Sequence, residues 1–403
     1  MKFASSRLDL VKPSASAWVS QAAKEAKARG EDVIDLGLGE PDFDTPAHII
    51  EAAHRAALRG ETRYPPTNGT LAMRQAVVDK LARENKLSYA PDDVIVSNGA
   101  KQVLFNAMMG TLEDGDEVLM CAPYFGQYKD IVLILGGQAV ALECPAENGF
   151  QLRPTQLEAA ITPKTRWIML NLPSNPAGAV YSDEDLRELG AVLEKHPDVL
   201  ILSDEIYEHI LFDGRTFLSF AAANPSLKDR TLTVNGVSKA YAMTGWRIGY
   251  GVGPKPLIAA MTKVQSQICS GACSVAQAAA AAALNGPQDD VRRFCAAFEE
   301  RRNLVVERIS QIDGLTLDPP GGAFYGLIGC ADLIGAQTTD GDVLANDSEI
   351  TAHILKDAGI AAVPGSAYEL SPFFRISTAA SMDVLGQAID RIATSVAKLK
   401  RKT

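Results

Sequence analysis

A chain of 403 residues with 47% hydrophobic and 22% charged residues is long enough for two domains and has the apolar content of an ordinary globular core. Its 39 lysines and arginines against 49 aspartates and glutamates leave a formal charge of −10, which disfavours nucleic acid or an acidic membrane as a partner. The opening MKFASSRLDLVKPS lacks the apolar core of a signal peptide, the alanine-rich stretch 275–284 is too short to span a bilayer, and the six cysteines form no C-x-x-C pair, so the expectation is a cytoplasmic protein with no membrane segment and no metal site.

In chain order, Pro13-Ser14 starts a helix over 15–28 that Gly30 stops, and 33–38 reads as a short buried strand. The turn G-E-P-D-F-D-T-P over 39–46 follows. Helices over 49–58 and 71–85 flank a loop, Tyr64 to Gly69. Then the pattern alternates: strands over 94–97, 117–121, 139–142, 167–171 and 199–203, with helices over 101–112, 128–135, 155–161 and 183–195 between them. Apolar strands separated by helices predict a mostly parallel sheet covered on both faces, a three-layer α/β architecture. Further β-branched or apolar runs lie at 231–234 and 248–252. Beyond Pro287 the alternation ends. A long amphipathic helix over 289–312, short strands over 315–317, 323–328 and 374–377, a helix over 348–358 and a Gly/Asp-rich insertion over 335–347 suggest a smaller α+β unit. The basic end, 398–402, reads as a solvated helix terminus. The expected division is 1–46 as arm and first part of the small domain, 47–287 as the large domain, and 288–403 as the rest of the small domain.

Residues able to do chemistry cluster just after the strands. Gly99 and Ala100 follow the first, Pro123, Tyr124 and Phe125 the second, Asn175 the run 167–171, Asp204 the run 199–203, and Lys239 the run 231–234. In open α/β sheets ligands bind beyond the carboxyl ends of strands. A lysine in a small-residue turn, shielded from water and eight residues before Arg247, has two reasons for a lowered pKa. Such an amine can attack a carbonyl at neutral pH.

The wording S-K-A-Y-A-M-T-G-W-R-I-G-Y over 238–250 resembles the cofactor-lysine segment of class I aminotransferases, which use pyridoxal 5′-phosphate. S-D-E-I-Y over 203–207, N-L-P-S-N-P-A-G over 171–178 and F-R-I-S over 374–377 are similar to other motifs of that family and occur in its order, so the resemblance spans about residues 30–395. It implies that Lys239 carries the cofactor, that Asp204 meets the ring nitrogen, and that Tyr207 and Asn175 meet the 3′-oxygen. It further implies a phosphate cradle of Gly99, Ala100, Lys101, Ser238 and Arg247, Phe125 on the ring face, and Tyr64 reaching across from the partner of a homodimer with shared sites. Gly39 and Arg375 are implied for the substrate α-carboxylate.

Gly99-Ala100-Lys101-Gln102 resembles the G-G-K-Q of a bacterial aspartate aminotransferase subgroup. There the lysine, helped by the arm around Lys12 to Ser16, meets a side-chain carboxylate. The resemblance therefore implies transfer of an amino group between aspartate or glutamate and 2-oxoglutarate or oxaloacetate, by a ping-pong mechanism. Phe125 in place of tryptophan, Gly236 in place of serine and Thr378 in place of tyrosine depart from the pattern and leave aromatic or neutral donors open. A β-lyase on the same fold is the rival reaction. A DNA-binding regulator would need an added basic domain, and Gly249-x-Gly251-x-Gly253 has the wrong spacing for a dinucleotide fingerprint.

Overall fold

The computed structural model describes residues 3–401. Twelve strands fall into three sheets: β1 (Ile34–Asp35), β2 (Val94–Ser97), β3 (Glu117–Ala122), β4 (Gln138–Glu143), β5 (Thr165–Asn171), β6 (Leu200–Asp204), β7 (Thr231–Gly236), β8 (Gly249–Val252), β9 (Tyr325–Gly329), β10 (Ile360–Ala361), β11 (Val363–Pro364) and β12 (Phe373–Ser377). The seven-stranded sheet has the order β2-β8-β7-β6-β5-β3-β4. Only β8 runs against its neighbours, β2 and β7; the remaining pairs are parallel.

Alternation along single strands explains the two covering layers. On β5, Trp167 and Met169 pack with the helices Ala100–Thr111 and Lys255–Ile268, whereas Ile168 and Leu170 pack with Asp183–Glu194. Side chains at successive positions point to opposite faces, so a strand buried on both must be apolar throughout. The edge strand β4 departs from the expectation of uniformly apolar strands, being largely exposed on one side chain in two. On the face opposite Ala100–Thr111, Ala47–Leu58, Leu71–Asn85 and Ser274–Asn285 extend the covering layer over β2 and β8. Alanines at 276, 279, 280 and 283 let those helices approach closely.

A second core forms around Ile328, Phe374 and Ile376 of the sheet β11-β12-β9, covered by Asp289–Ile309, Asp347–Ala358 and Met382–Ala397. Leu36 joins it from the chain's beginning.

Several expected elements are shorter than the sequence suggests. The strand expected over 33–38 pairs only at Ile34 and Asp35, because Asp35 Oδ1 then accepts from the Gly37 amide and turns the chain. The strand expected over 315–317 reduces to a single bridge between Thr316 and Gly329 before two prolines. The long helix stops at Ile309 rather than 312. Ser310 there donates its hydroxyl to the Glu307 carbonyl, competing with the backbone ladder. The basic end is a helix terminus only at its start: the helix ends at Ala397 with exposed Lys398 as its C-cap, and Lys400 then forms a backbone bridge with Gln337, tying down the insertion. Lys402 lies outside the described residues.

Candidate active site

The carboxyl ends of β2, β5, β6 and β7 and the start of the helix after β3 open into one cleft of 300 Å³. Its lining includes Lys239, Asp204, Tyr207, Asn175, Arg247 and Arg375. Ser16, Gly39, Ala100, Lys101, Phe125 and Ser238 line it as well, whereas Gly99 does not. Asp204 is the last residue of β6 rather than the residue after it.

Lys239 stands in the turn after β7 and donates from Nζ to the Gly39 carbonyl at 2.6 Å. Burial lowers its pKa to about 8, with Arg375 and then Arg247 adding to the effect and Glu40 and Asp204 opposing it. The neighbouring guanidinium that matters more is thus Arg375, from the far sheet, and not Arg247 eight residues on. A lysine in this state is partly unprotonated at neutral pH and nucleophilic.

Asp204 is 5% exposed. Tyr128 donates to its Oδ2 at 2.6 Å and the Ile206 amide to Oδ1 at 3.3 Å. Burial raises its pKa to about 6 in spite of those donors and Lys239, so a ligand cation here would be welcome. The same residue type in water ionises near 4.

Gly99 has φ +84° and caps the helix Ala100–Thr111 without any side-chain bond. The amides of the first turn have no partner within their helix and form a ready anion site. A Cβ on Gly99 would overlap the Arg247 guanidinium, so the glycine is what lets that group lie over the helix start. Arg247 itself holds φ +55°, with Nη1 donating to the Thr244 carbonyl at 2.7 Å. A non-glycine residue held there is strained, as functional residues often are. Ser238 is buried nearby.

Arg375 on β12 is 2% exposed. It donates from Nη1 to Asn175 Oδ1 at 3.0 Å and from Nη2 to the Gly37 carbonyl at 2.6 Å, with Ser16 Oγ at 3.4 Å. Its Nε has no partner, and no carboxylate among the described residues pairs with it. A buried guanidinium with only neutral acceptors has the capacity to pair with a carboxylate. Cleft lysine, buried acid and anion cradle match the three polar ends of pyridoxal phosphate, so the residues present fit that group.

Two expected residues differ in setting. Lys101 is exposed, with Nζ 5.3 Å from the centroid of Phe125; partial enclosure and Arg247 still lower its pKa against Asp130. Tyr64 is 91% exposed and does not line this chain's cleft. Tyr128, Tyr325, Asn171 and Thr244 also line the cleft without having been singled out from sequence. Tyr128 meets Asp204 across 76 positions and Tyr325 meets Tyr207 across 118. The only local signal for Tyr325 was its place in a glycine-flanked aromatic pair, Gly322-Ala323-Phe324-Tyr325-Gly326.

Comparison with known proteins agrees with the geometry. The sequence model of the family described as aminotransferase class I and II matches residues 31–392. A Rhizobium meliloti protein named aspartate aminotransferase is 51% identical over 98% of this chain and 96% of its own. The crystal structure of the aspartate aminotransferase from that organism, 50% identical, superposes with a TM-score of 0.96 over 99% of this chain and 100% of the other. A Cereibacter sphaeroides protein named aspartate/prephenate aminotransferase is 47% identical over 99% of this chain and 100% of its own. A Thermus thermophilus aspartate aminotransferase structure with maleate is 39% identical, with a TM-score of 0.91 over 98% and 100%.

Proposed function

The chain belongs to the class I and II aminotransferase family, and from that premise we propose that it uses pyridoxal 5′-phosphate to move an amino group between aspartate or glutamate and 2-oxoglutarate or oxaloacetate. The observation that carries this reading is the convergence of Lys239, Asp204 and Arg375 on one cleft, none of them ion-paired among the described residues.

When bound, the cofactor supplies a carbonyl that condenses with amines and a ring that takes up electrons as a Cα proton leaves. Lys239 provides the amine that holds it. Lys239 Nζ, when not engaged in holding it, would accept the Cα proton and return it, a task that an amine with a pKa of about 8 suits. Asp204 holds a proton at the ring nitrogen. The first-turn amides of Ala100 and Lys101, with Ser238 and Arg247, would hold the phosphate; Asn175 and Tyr207 would meet the 3′-oxygen, and Phe125 would lie against the ring. Arg375 binds the α-carboxylate in its planar fork, with Gly39 and Ser16 beside it. These roles rest on position, burial and family membership.

For the side chain, Lys101 lines the cleft, exposed beside Phe125, where it would meet a second carboxylate. The relatives named aspartate aminotransferase and the neighbour that holds maleate favour that assignment. Its exposure argues for a rim ion pair of about 0.5–2 kcal/mol, a loss of roughly 2- to 30-fold. Lys101→Ser should therefore depress aspartate and glutamate turnover selectively; an equal fall for aromatic donors would leave Lys101 as part of the phosphate cradle. The relative named aspartate/prephenate aminotransferase, together with Phe125 where a tryptophan would be bulkier, favours acceptance of aromatic donors as a second activity.

The reaction class has its own test. Incubating the loaded enzyme with L-aspartate alone should convert the cofactor to its amino form once per site and release one oxaloacetate. Steady release of ammonia would indicate a lyase instead.

The assembly belongs to the same reading: a homodimer in which Tyr64, exposed here, completes the partner's phosphate site. The two cores support division of the chain at about 47 and 287 into a large and a small domain. Six free cysteines and the absence, among the described residues, of any helix long and apolar enough to cross a membrane support a cytoplasmic location.

A further inference from the structure

Tyr325 opens β9, opposite Ser377 and one pair beyond the strand position of Arg375's neighbour Ile376. It is 2% exposed, and the Arg375 guanidinium lies 4.4 Å above its ring. Its hydroxyl meets the Tyr207 hydroxyl at 2.8 Å. That contact joins the strand carrying one edge of the cleft to the turn after β6, the other edge. The hydroxyl also abuts Gly39, where a Cβ would overlap it.

A phenol has one proton to donate and lone pairs to accept with. If Tyr207 gives its proton to Tyr325, Tyr207 has none left for a ligand oxygen. If Tyr325 gives its proton to Tyr207, the Tyr207 proton is free to face a ligand oxygen. Tyr325 is the better donor of the two. Burial raises both phenols, Tyr207 well above the usual range, and the Arg375 guanidinium, 4.4 Å from the Tyr325 ring centroid, polarises that phenol toward donation. We propose that the Tyr325 hydroxyl is a positioning group that aims the single proton of Tyr207 into the cleft, toward the ring oxygen of the cofactor. Its ring meanwhile supports Arg375, so one side chain serves both the cofactor end and the carboxylate end. The proposal rests on the pyridoxal phosphate reading above.

A donor to the cofactor's ring oxygen favours the form in which that oxygen is more negative, so it holds down the pH midpoint of the bound cofactor's visible absorbance. Tyr325→Phe removes the hydroxyl and keeps the ring under Arg375. The expected result is a midpoint raised by about 0.3–1 pH unit, a several-fold lower kcat, a KM for L-aspartate within about twofold of the parent, and an unchanged melting midpoint of the cofactor-free protein. Tyr207→Phe should raise the midpoint by about 1–2 units, and adding Tyr325→Phe to it should change nothing further. Gly39→Ala, whose methyl would displace the Tyr325 hydroxyl, should shift the midpoint the same way and covers the case of a poorly folding Tyr325→Phe. An unmoved midpoint in Tyr325→Phe, a lowered melting midpoint without a spectral shift, or additive shifts in the double variant would each overturn the proposal. A parent enzyme with no such absorbance would overturn the cofactor reading itself, and this proposal with it.

Discussion

Two lysines of this chain are enclosed by protein and treated in opposite ways. Lys80, fully buried, donates to Asn85 Oδ1 at 2.7 Å and to the Glu208 carboxylate, with Glu84 3.6 Å away. Glu208 also receives the amides of Asn85 and Asn235, each at 2.7 Å, and His209 meets Glu84 at 2.9 Å. Burial would raise both carboxylates, but Lys80 and His209 outweigh it, holding Glu84 at about 2 and Glu208 below its ordinary value. Glu84, Glu208 and His209 bring ligand atoms close enough for a cation, and the Lys80 ammonium already supplies one. Lys239 instead finds a carbonyl, two guanidinium groups in its neighbourhood and an acid that is itself pushed toward neutrality. Matched ions make scaffold, whereas enclosed groups left without counter-ions mark the place where a ligand must supply them.

The comparison breaks most visibly if the matched lysine is removed. Lys80→Ala should cost about 3–5 kcal/mol of stability by stranding Glu208 in the interior. Lys80→Met combined with Glu208→Leu should recover most of it, and the absorbance of bound cofactor should titrate as in the parent wherever the variant folds. Denaturant melts with a spectral titration check this. A stable Lys80→Ala would mean that water reaches Glu208.

Removing an unmatched cation should do the reverse. Arg375→Ala leaves no carboxylate stranded, so its effect belongs to substrate: a loss of about 2–5 kcal/mol, or 30- to several-thousand-fold in kcat/KM, with the larger part in KM. Steady-state kinetics with L-aspartate measure it. A stability loss as large as that of Lys80→Ala would place Arg375 with the scaffold.

The parts of this arrangement legible in the sequence are those set by local chain direction. Lys239, Asp204 and Asn175 follow strands whose apolar runs predict a parallel sheet, and such a sheet brings its carboxyl ends to one edge. The helices over 15–28 and 71–85 and the strand over 94–97 occur as expected, since start signals and periodicity are local. Contacts between distant segments were not legible. Nothing around Arg375 says that its guanidinium, rather than that of Arg247, is the stronger of the two charges that add to burial in lowering Lys239, because that depends on how β12 is placed against the turn after β7. The same holds for Tyr128 and Tyr325, whose partners lie far along the chain, and for the two-residue strands, whose ends are set by single side-chain bonds such as Asp35 to Gly37.

A smaller effect sharpens the contrast at the acid. Because the folded pKa of Asp204 is about 6 and an unfolded aspartate ionises near 4, the folded chain keeps a proton that the unfolded chain releases between those values. Stability of the cofactor-free protein therefore falls as pH rises through that window, and the full penalty is present at pH 7. Asp204→Asn should raise the cofactor-free melting midpoint by about 2–5 °C at pH 7 and by nothing at pH 4, while weakening cofactor binding. Glu205, raised by burial to about 7, persists in the variant, so the difference between the two melting profiles isolates Asp204. A variant less stable than its parent at pH 7 would show that the Asp204 charge is already compensated.

The measurement that bears most directly on the unmatched lysine is borohydride reduction of the protein incubated with pyridoxal phosphate, followed by mass mapping of the labelled peptide. One stable adduct per chain is expected, on Lys239, absent from Lys239→Ala and unaffected by Lys101→Ser. An adduct of equal yield in Lys239→Ala, or a label found on Lys101 or Lys80 in the parent, would contradict the account.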